Sequence, residues 1–392
     1  MKLGIDIQVL FGGARTGLYS LIRQLSAELV LLSNDPVYLI ADSSRRLGRL
    51  DPWVGRRIAR AMVGAQVRIV HQPARFYRLW HRLSICNRVD VLLHNVYGRL
   101  PRTWRGANAY LVPDLTALAI DYGKSHRRAC LDFYELAATH AHVILVFSEH
   151  TKWDFLSRFG GSAERVWVAP LAPGSEFRPG IERRAIEDAL RPHALHDTPY
   201  VLMVATIEVR KNHATLLRAF DLLRKRDPAL RHKLVLVGET WIGHEPVFDL
   251  IRELRLEDRV VYLGFFEQLP LLYAGADAFV YPSFYEGFGL PPLEAMASGV
   301  PVIVANTSSL PEVVGDAGVL FDPHDVHRLC DALERLLTDR AHHDDFAVRG
   351  LKRAAMFSWR RTAEIYLDAF ESGFRRFQDG IGRRPWSRAL TT

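Results

Sequence analysis

The run Pro282-Ser283-Phe284-Tyr285-Glu286-Gly287-Phe288-Gly289-Leu290-Pro291-Pro292-Leu293-Glu294 gathers chemistry-bearing residue types just after an apolar stretch, Ala278 to Tyr281. Its glycines let the backbone approach a ligand closely. Its prolines suit the first turn of a helix, where the amide they lack would have no partner anyway. The spacing predicts a strand, a loop and then a helix, with the amides of Phe288, Gly289 and Leu290 facing outward. A helix N-terminus of this kind favours anions, a phosphate above all. Glu286 and Glu294 bracket the loop. Carboxylates repel phosphate, so their presence points to hydroxyls. A diphosphate flanked by two sugars meets both demands, and a nucleotide-sugar is such a ligand.

A second cluster, Thr206-Ile207-Glu208-Val209-Arg210-Lys211-Asn212-His213, follows another apolar stretch. Arg210 and Lys211 fall at a strand's carboxyl end, where two cations can neutralise a diphosphate and support it as a leaving group. Taken alone, the pair reads better as an exposed basic turn; beside the Gly287/Gly289 loop it gains the phosphate role. Gly12-Gly13-Ala14-Arg15-Thr16-Gly17 forms a third, weaker glycine-rich turn and is not a dinucleotide fingerprint. His94, His126 and His150 each read as structural before catalytic. The chain has no Asp-x-Asp pair and no His/Cys cluster with metal spacing, so no metal cofactor is expected.

Short apolar strands alternate with helical patterns, which predicts parallel sheets covered by helices on both faces. The first half suggests strands at Leu3–Leu10, Val37–Ala41, Val67–Val70, Val89–Leu93, Ala109–Val112, His142–Phe147 and Val166–Ala169. The second suggests Tyr200–Ala205, Lys233–Val237, Val260–Leu263, Ala278–Tyr281, Pro301–Ala305 and Val319–Phe321. The expected organisation is α/β: two doubly wound Rossmann-like domains, 1–175 and 199–358, joined by a proline- and charge-rich connection at 176–198. Ligands of such sheets bind beyond the carboxyl ends of the strands, so a cleft between the domains is the expected site.

At 392 residues the chain suits two domains, and 48% apolar with 24% charged residues fits a globular protein. MKLGIDIQVL reads as a strand, not a signal peptide, and no apolar run approaches the ~20 residues that span a bilayer. The expected location is cytoplasmic, at most peripheral to a membrane. Cys86, Cys130 and Cys330 lack metal spacing and read as buried thiols. Up to Ser175 there are 23 lysines and arginines against 13 acids; the remainder has 28 against 31. The whole positive excess lies in the first half. It is either a set of solvated helix faces or an attraction to an anionic membrane or lipid-linked substrate. No basic motif interleaved with aromatics is present, so nucleic acid is not expected.

At these residues the chain resembles the family-4 retaining glycosyltransferases of GT-B architecture. The resemblance is specific through VATIEVRKNHATLLRAF, LVLVGE, VVYLGFF and the long run from LLYAGADAFVYPSFYEGFGLPPLEAMASGVPVIVANTSSLPEVVGDAGVLFDP. It is looser through RTGLYSLIRQL, VPDLTAL, FSEHTKWD and VWVAPLAPGSEFRP. It implies that Glu286 lies near the donor sugar and Glu294 holds the ribose hydroxyls. It also implies that Arg210 and Lys211 bind the diphosphate, that Gly17 faces the phosphates, and that Phe288, Gly289 and Leu290 meet the distal phosphate. Three positions depart from the family pattern. Pro113 stands where many relatives have a histidine, which leaves an acceptor-side role open to Asp114 or His126. Tyr19 replaces a glycine, and Val209 replaces a proline.

The resemblance further implies a helical tail, 359–392, crossing back to the first domain. It implies hexose transfer from a nucleotide-sugar to a polyprenyl-diphosphate-linked glycan in bacterial exopolysaccharide or O-antigen assembly, at the inner face of the plasma membrane. GDP-mannose is the first choice of donor and a UDP-hexose the second. A sugar-nucleotide epimerase and a non-catalytic nucleotide-sugar-binding partner are the other readings.

Overall fold

The computed structural model describes residues 1–6, 17–33, 35–42, 67–72, 89–95 and 106–380. Their contacts divide the chain into two compact units. One is Met1–Leu171 together with the segment from Ser358 onward; the other is Ala172–Phe357.

Among its described residues unit 1 has seven strands: β1 (Leu3–Asp6), β2 (Val37–Asp42), β3 (Val67–Gln72), β4 (Val91–Asn95), β5 (Ala107–Leu111), β6 (Val143–Val146) and β7 (Val166–Val168). They form one sheet in the order β3-β2-β1-β4-β5-β6-β7, and every pairing is parallel. Strands β4, β5 and β6 are buried throughout, which is why they read as unbroken apolar runs instead of an alternation. Helix α1 (Gly17–Leu32) follows β1, α2 (Lys124–His140) follows β5, and α3 (Glu149–Phe159) follows β6. The Ser148 hydroxyl caps α3 by accepting from the Thr151 amide at 3.1 Å. Cys130 and Cys330 are buried free thiols; Cys86 lies outside the described residues.

Unit 2 has six strands: β8 (Tyr200–Val204), β9 (Lys233–Val237), β10 (Val260–Tyr262), β11 (Ala278–Tyr281), β12 (Val302–Ala305) and β13 (Gly318–Phe321). Their order is β10-β9-β8-β11-β12-β13, again parallel throughout. The segment expected to be a bare connection carries helix α4 (Arg183–Leu190), and it belongs to this unit. Its Ile186 and Leu190 close over Gly275, where an added Cβ would stand 2.9 Å and 3.5 Å from them. An amphipathic helix with so many charges on its outer face looks like linker in composition, and only the packing of its apolar stripe separates the two. Next come α5 (His213–Arg226) after β8, α6 (Leu269–Ala274) after β10, α7 (Leu290–Ala297) after β11 and α8 (Val326–Thr338) after β13, then α9 (Arg340–Ala354). Helix α5 packs on α8, while α7 packs on α9.

The last helix, α10 (Trp359–Gln378), returns to the first sheet. It lies against α1 and strands β4 to β7. The Thr362 hydroxyl donates to the Pro170 carbonyl at 2.6 Å, and Gly373 rides over Val143, with room for a Cβ only 3.0 Å from that side chain.

Gly238, at the end of β9, has φ +141, and a Cβ there would stand 2.1 Å from the Ala205 carbonyl oxygen, where β8 ends. Gly238→Ala must therefore push the β8 loop outward or unpair the strand end. It is expected to cost about 2 kcal/mol or more, read as a lower urea midpoint at unchanged slope. A midpoint equal to that of the parent would show the loop to be slack.

Candidate active site

Strands β8 and β11 are neighbours in space but not in sequence, and the order of the sheet reverses between them. The helices that follow them, α5 and α7, leave toward different partners, so the two loops are held side by side beyond the strand ends. Such a switch point is the usual ligand crevice of an open α/β sheet. Here it brings Arg210 and Lys211, in the loop after β8, against Glu286, in the loop after β11.

The Glu286 carboxylate bridges the two cations: Oε2 lies 2.8 Å from Arg210 Nη1 and Oε1 lies 2.6 Å from Lys211 Nζ. Arg210 also donates to the Tyr285 carbonyl at 2.9 Å and to Glu208 Oε1 at 2.8 Å. Lys211 Nζ donates to the Tyr281 hydroxyl at 2.7 Å. All four charged side chains are buried or nearly so. Burial pushes the Glu286 carboxyl up, but Arg210 and then Lys211 outweigh it and hold its pKa at about 2. Burial, then Arg210, lowers the Lys211 ammonium, and Glu286 opposes that shift. His213, which opens α5, is buried with neither ring nitrogen bonded among the described residues. Burial and then Lys211 keep its pKa at about 3, so it adds no third positive charge.

The loops are latched independently of these charges. The Phe284 amide donates to the Arg210 carbonyl at 2.9 Å. Asn212 takes the left-handed conformation at φ 56, which asparagine tolerates, and its amide nitrogen donates to the carbonyls of Pro282 (3.1 Å) and Pro323 (2.8 Å). The Glu286 amide donates to Ser308 Oγ at 2.8 Å, and Ser309 Oγ donates to the carbonyls of Glu286 (2.9 Å) and Phe288 (2.6 Å).

Gly289 caps α7 at φ +126 with no side-chain capping bond, and a Cβ there would meet Leu310 at 2.8 Å. The amides of Phe288, Gly289 and Leu290 make no backbone hydrogen bond among the described residues, while Pro291 and Pro292 have no amide to offer. The anion-binding capacity of this helix end therefore rests on those three amides. Glu294, half-buried one turn into α7, accepts from the Tyr273 hydroxyl at 3.1 Å. Burial raises its pKa to about 8 against that hydrogen bond, and the charge of Glu176 raises it further.

Glu286, Arg210, Lys211, Phe288, Gly289, Leu290 and Glu294 thus belong to two adjoining loops and one helix of unit 2. Gly17 is the first residue of α1 in unit 1, and Gly12 and Gly13 lie outside the described residues. Asp114, also in unit 1, follows β5 and accepts from the Thr116 amide at 2.9 Å. His126 is exposed, with Nε2 3.7 Å from the Cys130 thiol. Burial and then the Asp114 charge push that thiol's pKa up, so Asp114 and His126 share one neighbourhood around Cys130. His94 is a core residue, bonded to Asn108 Oδ1 at 3.0 Å and stacked on Tyr110. Glu208, Tyr281, Ser308 and Ser309 escaped the sequence reading. Only Glu208 carried a signal, as a carboxylate two residues before the arginine in a basic loop.

Two doubly wound units of this topology define the GT-B class, and solved structures agree. The chain is similar to Anabaena Alr3699/HepE, solved in complex with UDP and glucose, at a TM-score of 0.74 and 18% identity over 95% of this chain and 100% of that one. It is similar to WaaG, a glycosyltransferase involved in lipopolysaccharide biosynthesis, at 0.70 and 16% identity over 94% and 99%. Residues 186–353 match the glycosyl transferases group 1 family. Among curated relatives the chain is 37% identical to O-antigen chain mannosyltransferase B of Escherichia coli over 233 residues, 59% of this chain and 61% of that protein. It is 32% identical to the serotype-specific mannosyltransferase WbdA of Escherichia coli over 240 residues, again 59% of this chain. The matched part spans about three fifths of the first relative and only 29% of the second.

The two glutamates make opposite pH predictions. Glu286, held at about 2 against an ordinary 4.5, stabilises the fold above pH 4.5, and that stability drains as pH falls toward 2. Glu294, held at about 8, binds its proton more tightly folded than unfolded, so stability drains as pH rises from 4.5 toward 8. Urea midpoints measured from pH 2 to 9 should show Glu286→Gln flattening the limb below pH 4.5 and Glu294→Gln flattening the limb between pH 4.5 and 8. Parallel curves for parent and variants would contradict both assignments.

Proposed function

We propose that this protein is a retaining glycosyltransferase that moves mannose from GDP-mannose to a polyprenyl-diphosphate-linked glycan at the inner face of the plasma membrane. The observation that carries the reading is the convergence of Arg210 and Lys211 on Glu286 beside three amides that make no backbone hydrogen bond among the described residues. The group 1 domain and the similarity to mannosyltransferases support the class and the sugar. The positive excess of the first half supports an anionic lipid-linked acceptor. Among the described residues no helix is long and apolar enough to cross a membrane, so contact with it would be peripheral.

In the proposed reaction the diphosphate replaces Glu286 as the partner of Arg210 and Lys211, and the freed carboxylate turns to the hexose. The bond from the anomeric carbon to the phosphate oxygen breaks, and the electron pair leaves with the nucleoside diphosphate. The acceptor hydroxyl forms the new bond on the same face and passes its proton to the departing phosphate. Arginine, lysine and backbone dipoles meet the phosphate charge, so the step is proposed to need no metal.

Tritiated GDP- and UDP-hexoses incubated with the protein and a bacterial lipid extract test this. Label should enter lipid from GDP-mannose alone and persist in EDTA; label from a UDP-hexose would replace the donor, and label from none would end the enzyme reading. Glu286→Gln removes the anion that competes for both cations. It should bind GDP about tenfold more tightly by calorimetry yet lower kcat about 100-fold or more. Unchanged GDP affinity together with near-parental kcat would remove Glu286 from both roles.

A further inference from the structure

We infer that unit 2 carries a second carbohydrate subsite, a shelf for one pyranose ring at the carboxyl ends of β11, β12 and β13; the inference rests on the glycosyltransferase reading and deepens it. A cavity of about 580 Å³ lies there, lined by Phe284, Asn306, Thr307, Asp322, Pro323 and His324. Its size falls within the roughly 300–1,000 Å³ of small-molecule sites. None of its lining residues is one of the charged groups at the β8/β11 crevice.

The lining has sugar chemistry. Phe284 and His324 stack with ring centroids 5.0 Å apart and planes 28° from parallel; each covers one face of the other, and with His324 exposed a π face is left for a ligand. Such a surface takes the C–H face of a pyranose, whose hydrogens are electropositive against the ring's negative face. Asn306 is exposed and its side chain, both donor and acceptor, makes no hydrogen bond among the described residues. Asp322 is exposed, and Oδ1 accepts from the His324 amide at 2.9 Å, which leaves Oδ2 for a ligand. An amide and a carboxylate above an aromatic face suit vicinal hydroxyls, and the carboxylate disfavours a phosphate.

The shelf is tied to the reacting loops. The Pro323 carbonyl accepts from Asn212, next to Lys211, at 2.8 Å and from Thr215 at 3.0 Å. Thr307 Oγ1 donates to the Ser283 carbonyl at 2.9 Å, and the adjoining Ser308 holds the Glu286 amide. A sugar seated here is the donor's hexose or the terminal residue of the acceptor glycan. Both present the same ring and hydroxyls.

Asn306→Ala, Asp322→Asn and His324→Ala, all at exposed positions, test the shelf once their melting temperatures match the parent's. Saturation-transfer NMR with an α-linked mannobiose probes the acceptor source, and calorimetry with GDP and GDP-mannose probes the donor source. GDP affinity should be unchanged throughout. An acceptor subsite loses the disaccharide signal in the variants with GDP-mannose affinity intact. A donor subsite weakens GDP-mannose by about tenfold. If neither readout depends on these three residues, the shelf is refuted. The disaccharide measurement needs no turnover, so a parent protein that binds no sugar nucleotide and transfers no label would end the proposed function without deciding the subsite.

Discussion

One carboxylate shared by two cations is the constraint on which the rest of unit 2 depends. Lys211 is only 7% exposed, and an ammonium that deep is tolerated only when an opposite charge and further acceptors meet it. Glu286 supplies the charge and Tyr281 the acceptor, and both come from residues about seventy positions away. No local structure can bring them together. The sheet order must place β8 beside β11, and α5 and α7 must leave in different directions so that neither covers the crevice. The ion cluster is thus a consequence of topology before it is an instrument of chemistry.

As it stands the cluster matches its formal charges one for one, Arg210 and Lys211 against Glu208 and Glu286. A diphosphate adds negative charge to a balanced site, so its binding is favourable only if a carboxylate gives way. Glu208 lies on the same short turn as Arg210, whereas Glu286 belongs to a different loop and is the one that yields in the proposed reaction. That loop would otherwise lose its chief anchor as its carboxylate swung out. Ser308, Ser309, Asn212 and the Phe284–Arg210 backbone bond hold it by neutral contacts that an anion does not disturb. Separate anchoring of backbone and side chain lets the carboxylate change partners without unfolding the loop.

Much of this architecture was readable in the residues. The strands of both units fall where the apolar runs lie, because buried parallel strands advertise themselves by continuity. Arg210, Lys211, Glu286 and the glycine loop were readable because glycine, proline and clustered charge carry local conformational meaning. The serine latches were not. A serine two loops away that accepts one amide leaves no periodicity, and Ser308 and Ser309 differ from any surface pair only by position. Helix α4 was concealed for the opposite reason, since its charged outer face outweighs Ile186 and Leu190 in composition though not in packing. The shelf around Phe284 and His324 joins residues from three strand ends, a juxtaposition that only the sheet order creates.

The departure at Pro113 bears on where the acceptor's proton goes. A dedicated base must be held within hydrogen-bond reach of its target by a partner that fixes its orientation. Asp114 spends one oxygen on the Thr116 amide, which ties it to the turn that follows β5. His126 is exposed, in edge contact with Tyr122 and 3.7 Å from a thiol, and neither neighbour orients an imidazole as a carboxylate would. In unit 2 the buried His213 stays neutral, but among the described residues neither of its nitrogens is bonded to steer it. A leaving diphosphate, by contrast, gains basicity as its bond to carbon breaks, and in the proposed reaction Arg210 and Lys211 would hold it where the proton is released. The strongest base in the proposed reaction is thus the one the reaction itself makes, and the absence of a wired histidine at position 113 is compatible with transfer.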